Sequence, residues 1–259
     1  MVMISVGIDI GFLTTKAVVM IGGEIKAHYM MLTGDSGYQA ANTAVQNVIE
    51  ICGLGIKDID KCVSTGLGKA ETPYDHEQAP EILCDVKGSL FFYPSARTII
   101  DVGAESCRVV RCNANGRVLD FGLNDKCASG TGIFLDTMAK ALGVQIENLG
   151  SLSLQAKEDI TVTATCAVFA ESEVVGLIAR GIDKASILGG IHKSIANRIY
   201  GLANRVGISN DVILIGGGAR NIGISSCLKA LIHGNLLIPE EPQIVGAVGA
   251  AIIAQDKSK

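Results

Sequence analysis

Asp9-Ile-Gly-Phe-Leu-Thr-Thr-Lys16 follows an apolar run that ends at Ile8. It leads into a second run, Ala17-Val18-Val19-Met20, closed by Gly22-Gly23. The same order returns at Ile100-Asp101-Val102-Gly103, then Val109-Val110, then Asn115-Gly116. Each copy is a strand, a tight turn and a second strand, with an acid at the end of the first strand. A doubled unit of this kind predicts two related lobes facing one cleft, suited to a nucleotide phosphate and its magnesium ion.

The rest of the chain alternates strands and helices, which indicates an α/β fold. In the first lobe the pattern predicts strands at 4–9, 16–21 and 24–31, and a helix over Tyr38–Cys52. A short strand at 61–64 runs into Thr65-Gly66, and a helix covers Glu77–Phe92. In the second lobe it predicts strands at 97–102, 107–112, 117–122 and 160–164. Helices follow over 133–142, 167–180 and 184–206, the last interrupted at Gly189-Gly190. A buried strand at 211–215 ends in Gly216-Gly217-Gly218, and helices cover 221–232 and 244–255. The expected lobes are residues 1–96, joined by a C-terminal helix within 244–259, and residues 97–243.

Composition excludes several classes. Apolar residues make up 48% and charged residues 19%, too apolar a balance for a disordered chain. Aromatics are only 4%, Trp is absent and the net charge is −4, so neither stacking platforms nor a basic footprint for nucleic acid is present. Mean hydropathy is +0.38. No apolar run approaches the about 18 residues that span a bilayer. Gly246–Ala254 is short and rich in small residues, and predicts a packed helix. The N-terminus carries no basic region or cleavage site of a secretory signal, which predicts a cytoplasmic protein.

Three loops carry candidate phosphate chemistry. Gly11 lets the backbone approach a phosphate, Thr14 and Thr15 offer hydroxyls and amides, Lys16 is a cation, and Asp9 can hold Mg²⁺ directly or through water. Asp101-Val-Gly-Ala-Glu-Ser106 is a second acidic loop, with Gly103 and Ala104 at the close approach. Ile215-Gly-Gly-Gly-Ala-Arg-Asn221 is a third, where Gly216, Gly217 and Gly218 precede a helix. No Walker motif is present. The trio resembles the actin/hexokinase/heat-shock-chaperone superfamily. That resemblance implies a two-lobed ATPase fold with duplicated ribonuclease-H-like domains and a late adenosine loop.

The chain has eight cysteines; the reducing cytoplasm expected for it disfavours disulfides, and the lack of a C-x-x-C pair disfavours a zinc ribbon. Most read as small buried hydrophobes. Cys127 and Cys166 differ, because each precedes an expected helix N-terminus whose dipole stabilises a thiolate. From the residues alone they either pack helix ends or form half the ligand set of a 4Fe–4S cluster. A two-fold homodimer would complete that set.

Asn124-Asp-Lys-Cys-Ala-Ser-Gly-Thr-Gly-Ile-Phe-Leu-Asp136, Cys166-Ala-Val-Phe-Ala-Glu-Ser-Glu-Val174 and Gly190-Ile-His-Lys-Ser194 resemble the activator (component A) of 2-hydroxyacyl-CoA dehydratases. They are also similar to the ATPase subunits of benzoyl-CoA reductases. The resemblance covers the whole chain. It implies one 4Fe–4S cluster per homodimer, held by Cys127 and Cys166 of each copy, and ATP/ADP with Mg²⁺. It further implies a ferredoxin or flavodoxin donor and an iron–sulfur dehydratase or reductase as the electron acceptor. The family's second phosphate loop commonly reads Asp-Ile-Gly-Gly-Gln-Asp. Here Glu105 stands at the Gln position, where it could orient or deprotonate the attacking water. The expected catalytic residues are therefore Asp9, Asp101 and Glu105. Two other functions fit the same fold: a small-molecule kinase with Asp101 or Glu105 as base, and a non-hydrolysing, nucleotide-gated scaffold. His192 reads as a structural helical histidine.

Overall fold

A computed structural model of the chain describes residues 2–124, 132–163 and 167–256. It divides into two compact units. One comprises Met1–Ser95, Ala114–Val118 and Gln243–Lys259; the other comprises Ala96–Asn113 and Leu119–Pro242.

The first unit opens with a meander of β1 (Ile4–Ile10), β2 (Thr14–Ile21) and β3 (Glu24–Leu32). Gly22 and Gly23 have φ of 60° and 87°, the paired positive values that a two-residue hairpin turn requires. α1 (Gly37–Ile51) follows, then β4 (Lys61–Thr65), β5 (Glu77–Gln78) and α2 (Glu81–Phe92). The sheet order is β3-β2-β1-β4-β5, antiparallel through the meander and parallel from β1 to β4. The expected helix over 77–92 is shorter in the structure. Pro80 fixes an extended φ of −62° and ψ of 137° just before Glu81, and Glu77–Gln78 pair with β4 instead.

Alternation along β1 sends Val6, Ile8 and Ile10 to one face, where they pack on Ala41, Ala44, Val45 and Val48 of α1. The Ser36 side chain caps that helix by accepting from Gln39 N at 3.2 Å. The other face meets α8, residues Val245–Asp256 of the chain's last helix. This is the Gly246–Ala254 segment, and its small residues have a geometric reason. A Cβ on Gly7 of β1 would lie 2.0 Å from Ala247 O. On Gly249 it would lie 1.9 Å from Cys84 O, and on Gly88 of α2 2.0 Å from Val245 O. α8 is thus wedged between β1 and α2 at backbone contact. No helix among the described residues is long and apolar enough to cross a membrane.

The second unit repeats the plan with β6 (Thr98–Val102), β7 (Cys107–Cys112) and β8 (Val118–Asn124), whose first residue falls in the first unit. Then come α3 (Gly132–Leu142), α4 (Leu149–Ser153), α5 (Ala167–Ala179), α6 (Lys184–Val206), β9 (Val212–Ile215), α7 (Ile222–Leu231) and β10 (Leu236–Leu237). The order β8-β7-β6-β9-β10 matches β3-β2-β1-β4-β5 strand for strand. Two mixed five-stranded sheets with flanking helices are therefore present, the fold class expected from the doubled motif.

Two local expectations differ from the structure. α6 runs through Gly189-Gly190 without a break. Its glycines admit a crossing segment, since a Cβ on Gly190 would lie 2.5 Å from Ile160 O. That segment is not the strand expected at 160–164. Residues 160–163 are irregular, and Thr163 N donates to Glu173 Oε1 at 3.1 Å rather than to a ladder.

Candidate functional site

In the first unit the β1–β2 turn gathers Asp9, Gly11, Thr14, Thr15 and Lys16. Asp9 and Lys16 are cross-strand partners. Lys16 Nζ donates to Asp9 Oδ2 at 3.0 Å and to Thr14 O at 3.2 Å. Gly11 N closes the turn on Thr14 O at 3.1 Å. A Cβ on Gly11 would stand 2.9 Å from Thr14 O and 3.3 Å from Lys16 Nζ, so the turn closes this tightly only around glycine. Thr33 Oγ1 donates to Gly11 O at 2.8 Å. Its hydroxyl proton is thereby used, so Thr15 donates to Thr33 across 3.0 Å. Thr15 is fully buried and stands behind the loop, bracing it. This revises the sequence reading of Thr15 as a hydroxyl offered to phosphate.

The second unit reproduces the turn. Gly103 N donates to Ser106 O at 2.9 Å, as Gly11 N does to Thr14 O. Asp101 is 7% exposed and carries an ion pair with Arg108, its cross-strand partner on β7. Arg108 was not a candidate from motifs. Its signal is spacing: the cation follows the acid by 7 residues in both units. Glu105 sits exposed at the tip of this turn.

Gly216, Gly217 and Gly218 close around the same strand end. Gly216 follows β9, and Asp101 is the register partner of Ile215. Gly217–Arg220 form a 3-10 turn, after which Asn221 caps α7. Asn221 Oδ1 accepts from Gly223 N at 2.9 Å and Ile224 N at 3.2 Å, and lies 3.0 Å from His192 Nε2. His192 Nδ1 is 2.8 Å from Leu188 O. Burial pushes the His192 imidazole below its ordinary range, against the opposing pull of the Leu188 carbonyl and Asn221. The histidine thus braces the cap behind the triple-glycine turn.

Cys127 and Cys166 lie outside the described residues. The helices that follow them do not. α5 begins at Ala167, directly after Cys166. α3 begins at Gly132, whose N–H donates to Gly103 O at 3.0 Å, and Ile133 N donates to Ala104 O at 2.9 Å. Two first-turn amides of α3 are therefore bonded to the Gly103–Ala104 turn. Among the described residues no group of His, Cys, Asp and Glu is arranged to hold a metal. The six described cysteines are free thiols. Burial pushes the thiols of Cys62, Cys84 and Cys107 up to about 12, where they are inert as thiolates.

The BadF/BadG/BcrA/BcrD ATPase family matches this chain over residues 6–254. The chain belongs to that family. Among its relatives, the 2-hydroxyisocaproyl-CoA dehydratase activator of Clostridioides difficile is 37% identical, covering 99% of this chain and 97% of its own length. One of the benzoyl-CoA reductase subunits of Thauera aromatica is 32% identical over 96% of this chain and 92% of its own. The solved activator of the 2-hydroxyisocaproyl-CoA dehydratase from Clostridium difficile, with bound ADPNP, superposes with a TM-score of 0.92 at 38% identity. It covers 99% of this chain and 96% of that one. A glucokinase of the ROK family from Streptomyces griseus superposes at a TM-score of 0.58 with 14% identity and shares the fold alone.

Proposed function

We propose that this ATPase-family chain is the reductive activator of a 2-hydroxyacyl-CoA dehydratase or a benzoyl-CoA reductase-type enzyme. A homodimer would take one low-potential electron from ferredoxin or flavodoxin and pass it to that partner while hydrolysing ATP to ADP and phosphate. The observation that carries the reading is the end-to-end similarity to a named dehydratase activator. The kinase alternative rests on fold likeness only.

The residues divide the work as follows. Gly11, Thr14 and Lys16 grip phosphate in one unit, with Thr15 as the brace. Gly103 and Ala104 do so in the other, and Gly216, Gly217 and Gly218 admit the adenosine. Asp9 would hold Mg²⁺ directly or through water, Asp101 would act as the catalytic acid of its own unit, and Glu105 would orient or deprotonate the attacking water. Glycine at position 11 supports a close phosphate approach there, because its backbone carries no Cβ. Cys127 and Cys166 of each copy would hold a 4Fe–4S cluster, which when bound supplies a one-electron carrier. The start of α5 next to Cys166 supports this, since a helix N-terminus favours thiolate charge. The α3 bonds to Gly103 O and Ala104 O offer a direct path from nucleotide state to the segment that holds Cys127.

Anaerobic purification tests the proposal. The expected yield is about four irons and about four sulfides per dimer, both lost in Cys127→Ala and Cys166→Ala. A cluster that survives either substitution, or a colourless air-stable protein that phosphorylates a small molecule, overturns it.

A further inference from the structure

The duplication extends to a turn that no motif marks. Thr65-Gly66-Leu67-Gly68-Lys69 follows β4 as Ile215-Gly216-Gly217-Gly218-Ala219 ends β9. Thr65 is the register partner of Asp9, and Ile215 that of Asp101. Gly66 has φ +90° and Gly216 has φ +82°, both in the left-handed region that disfavours a side chain. A Cβ on Gly66 would lie 2.6 Å from Asp9 Oδ1 and 2.4 Å from Ile10 O. On Gly216 it would lie 2.1 Å from Asp101 Oδ1 and 2.6 Å from Val102 O. A Cβ on Gly68 would lie 2.5 Å from Ile10 Cγ2, and on Gly218 2.3 Å from Val102 Cγ1. The backbone bonds correspond too. Lys69 N donates to Gly66 O at 3.3 Å and Ala219 N to Gly216 O at 3.2 Å. Glu71 N donates to Gly68 O at 2.7 Å and Asn221 N to Gly218 O at 3.1 Å.

We infer that Gly66 is a positioning residue for the Asp9 carboxylate, matching Gly216 against Asp101. The Thr65–Lys69 turn would then join the β1–β2 turn as a second loop serving Asp9 in the first unit. Lys16 bonds Asp9 Oδ2, and Oδ1 lies 2.6 Å from where a Cβ on Gly66 would stand. Any side chain at Gly66 must turn or displace the acid. The inference rests on the reading that Asp9 serves the Mg²⁺–nucleotide.

The test uses the full chain and three variants: Gly66→Ala, Asp9→Glu, and Gly122→Ala as a packing control. A Cβ on Gly122, a residue of the second unit, would meet the side chains of Leu202 at 2.8 Å and Val206 at 3.0 Å. The Mg²⁺ dependence of phosphate release is measured together with nucleotide binding in the absence of Mg²⁺. Gly66→Ala should need about ten- to a hundredfold more Mg²⁺ for half-maximal release, with metal-free nucleotide binding unchanged. Asp9→Glu, which keeps the charge but pushes the carboxylate into the Gly66 wall, should shift in the same direction. It serves where Gly66→Ala does not fold. Gly122→Ala should lose stability without any shift in Mg²⁺ dependence. Wild-type Mg²⁺ dependence in folded Gly66→Ala or in Asp9→Glu overturns the inference, as does an equal shift in Gly122→Ala. A wild-type chain that releases no phosphate overturns the underlying ATPase reading instead.

Discussion

Arg108 stands to Asp101 as Lys16 stands to Asp9: each cation faces its acid across the first hairpin of its unit and pairs with it. The acid at the strand end is thus never a bare charge. Removing one side leaves a charge that is largely out of water, and that imbalance costs more than the pair contributes.

Arg108→Met should therefore lower unfolding stability by about 3 kcal/mol, because Asp101 and Arg108 side chains are only 10% and 12% exposed. Asp101→Asn in the same background should recover part of the loss. Urea denaturation of the two single variants and the double variant gives the coupling, expected at about 1–3 kcal/mol. Additive losses would show that the pair is not what holds the hairpin.

The glycines of the helices divide by what surrounds them. Gly249→Ala drives a methyl into Cys84 O and should destabilise by about 1–3 kcal/mol or more. Gly201→Ala, in α6 with nothing within 4 Å, should stabilise by about 0.5–1 kcal/mol through helix propensity. Thermal melts of both variants check the opposite signs.

Cysteine reactivity should separate by position. Cys62, Cys84 and Cys107 hold thiols pushed up to about 12 by burial. Under native conditions near pH 8 they should resist alkylation until the chain unfolds. Cys127 and Cys166, once any cluster is removed, should label first. Peptide mapping by mass spectrometry reads the order, and early labelling of Cys107 would contradict it.

The pH dependence of stability should carry a His192 component. Its folded value is depressed, so the unfolded chain binds the proton more readily. The contribution is complete above the ordinary histidine value of about 6.5 and is lost as pH falls below it. Denaturant midpoints measured from pH 7.5 to 5 should drop less steeply in His192→Gln than in the parent chain.

Much of this was legible in the residues. Asp9-Ile-Gly and Asp101-Val-Gly announce two hairpins because a strand pattern broken by an obligatory glycine turn leaves few alternatives. The length and exclusive glycine content of Gly216–Gly218 likewise mark a close approach. Arg108 was hidden because one basic residue in a strand carries no motif, and only its cross-strand register gives it a partner. Gly66 was hidden because Thr-Gly-Leu-Gly-Lys resembles its counterpart in backbone shape and hardly at all in side chains.

The sequence by itself determined the α/β class, the repeat and the family, since these rest on periodicity and on motifs local to the chain. Only the tertiary structure decided which groups meet: Gly66 against Asp9, Gly249 against Cys84, the α3 amides on Gly103 and Ala104, and Thr15 behind its own loop. Those contacts join residues distant in sequence or hidden by burial. They are set by how strands register and helices pack, which local pattern does not encode.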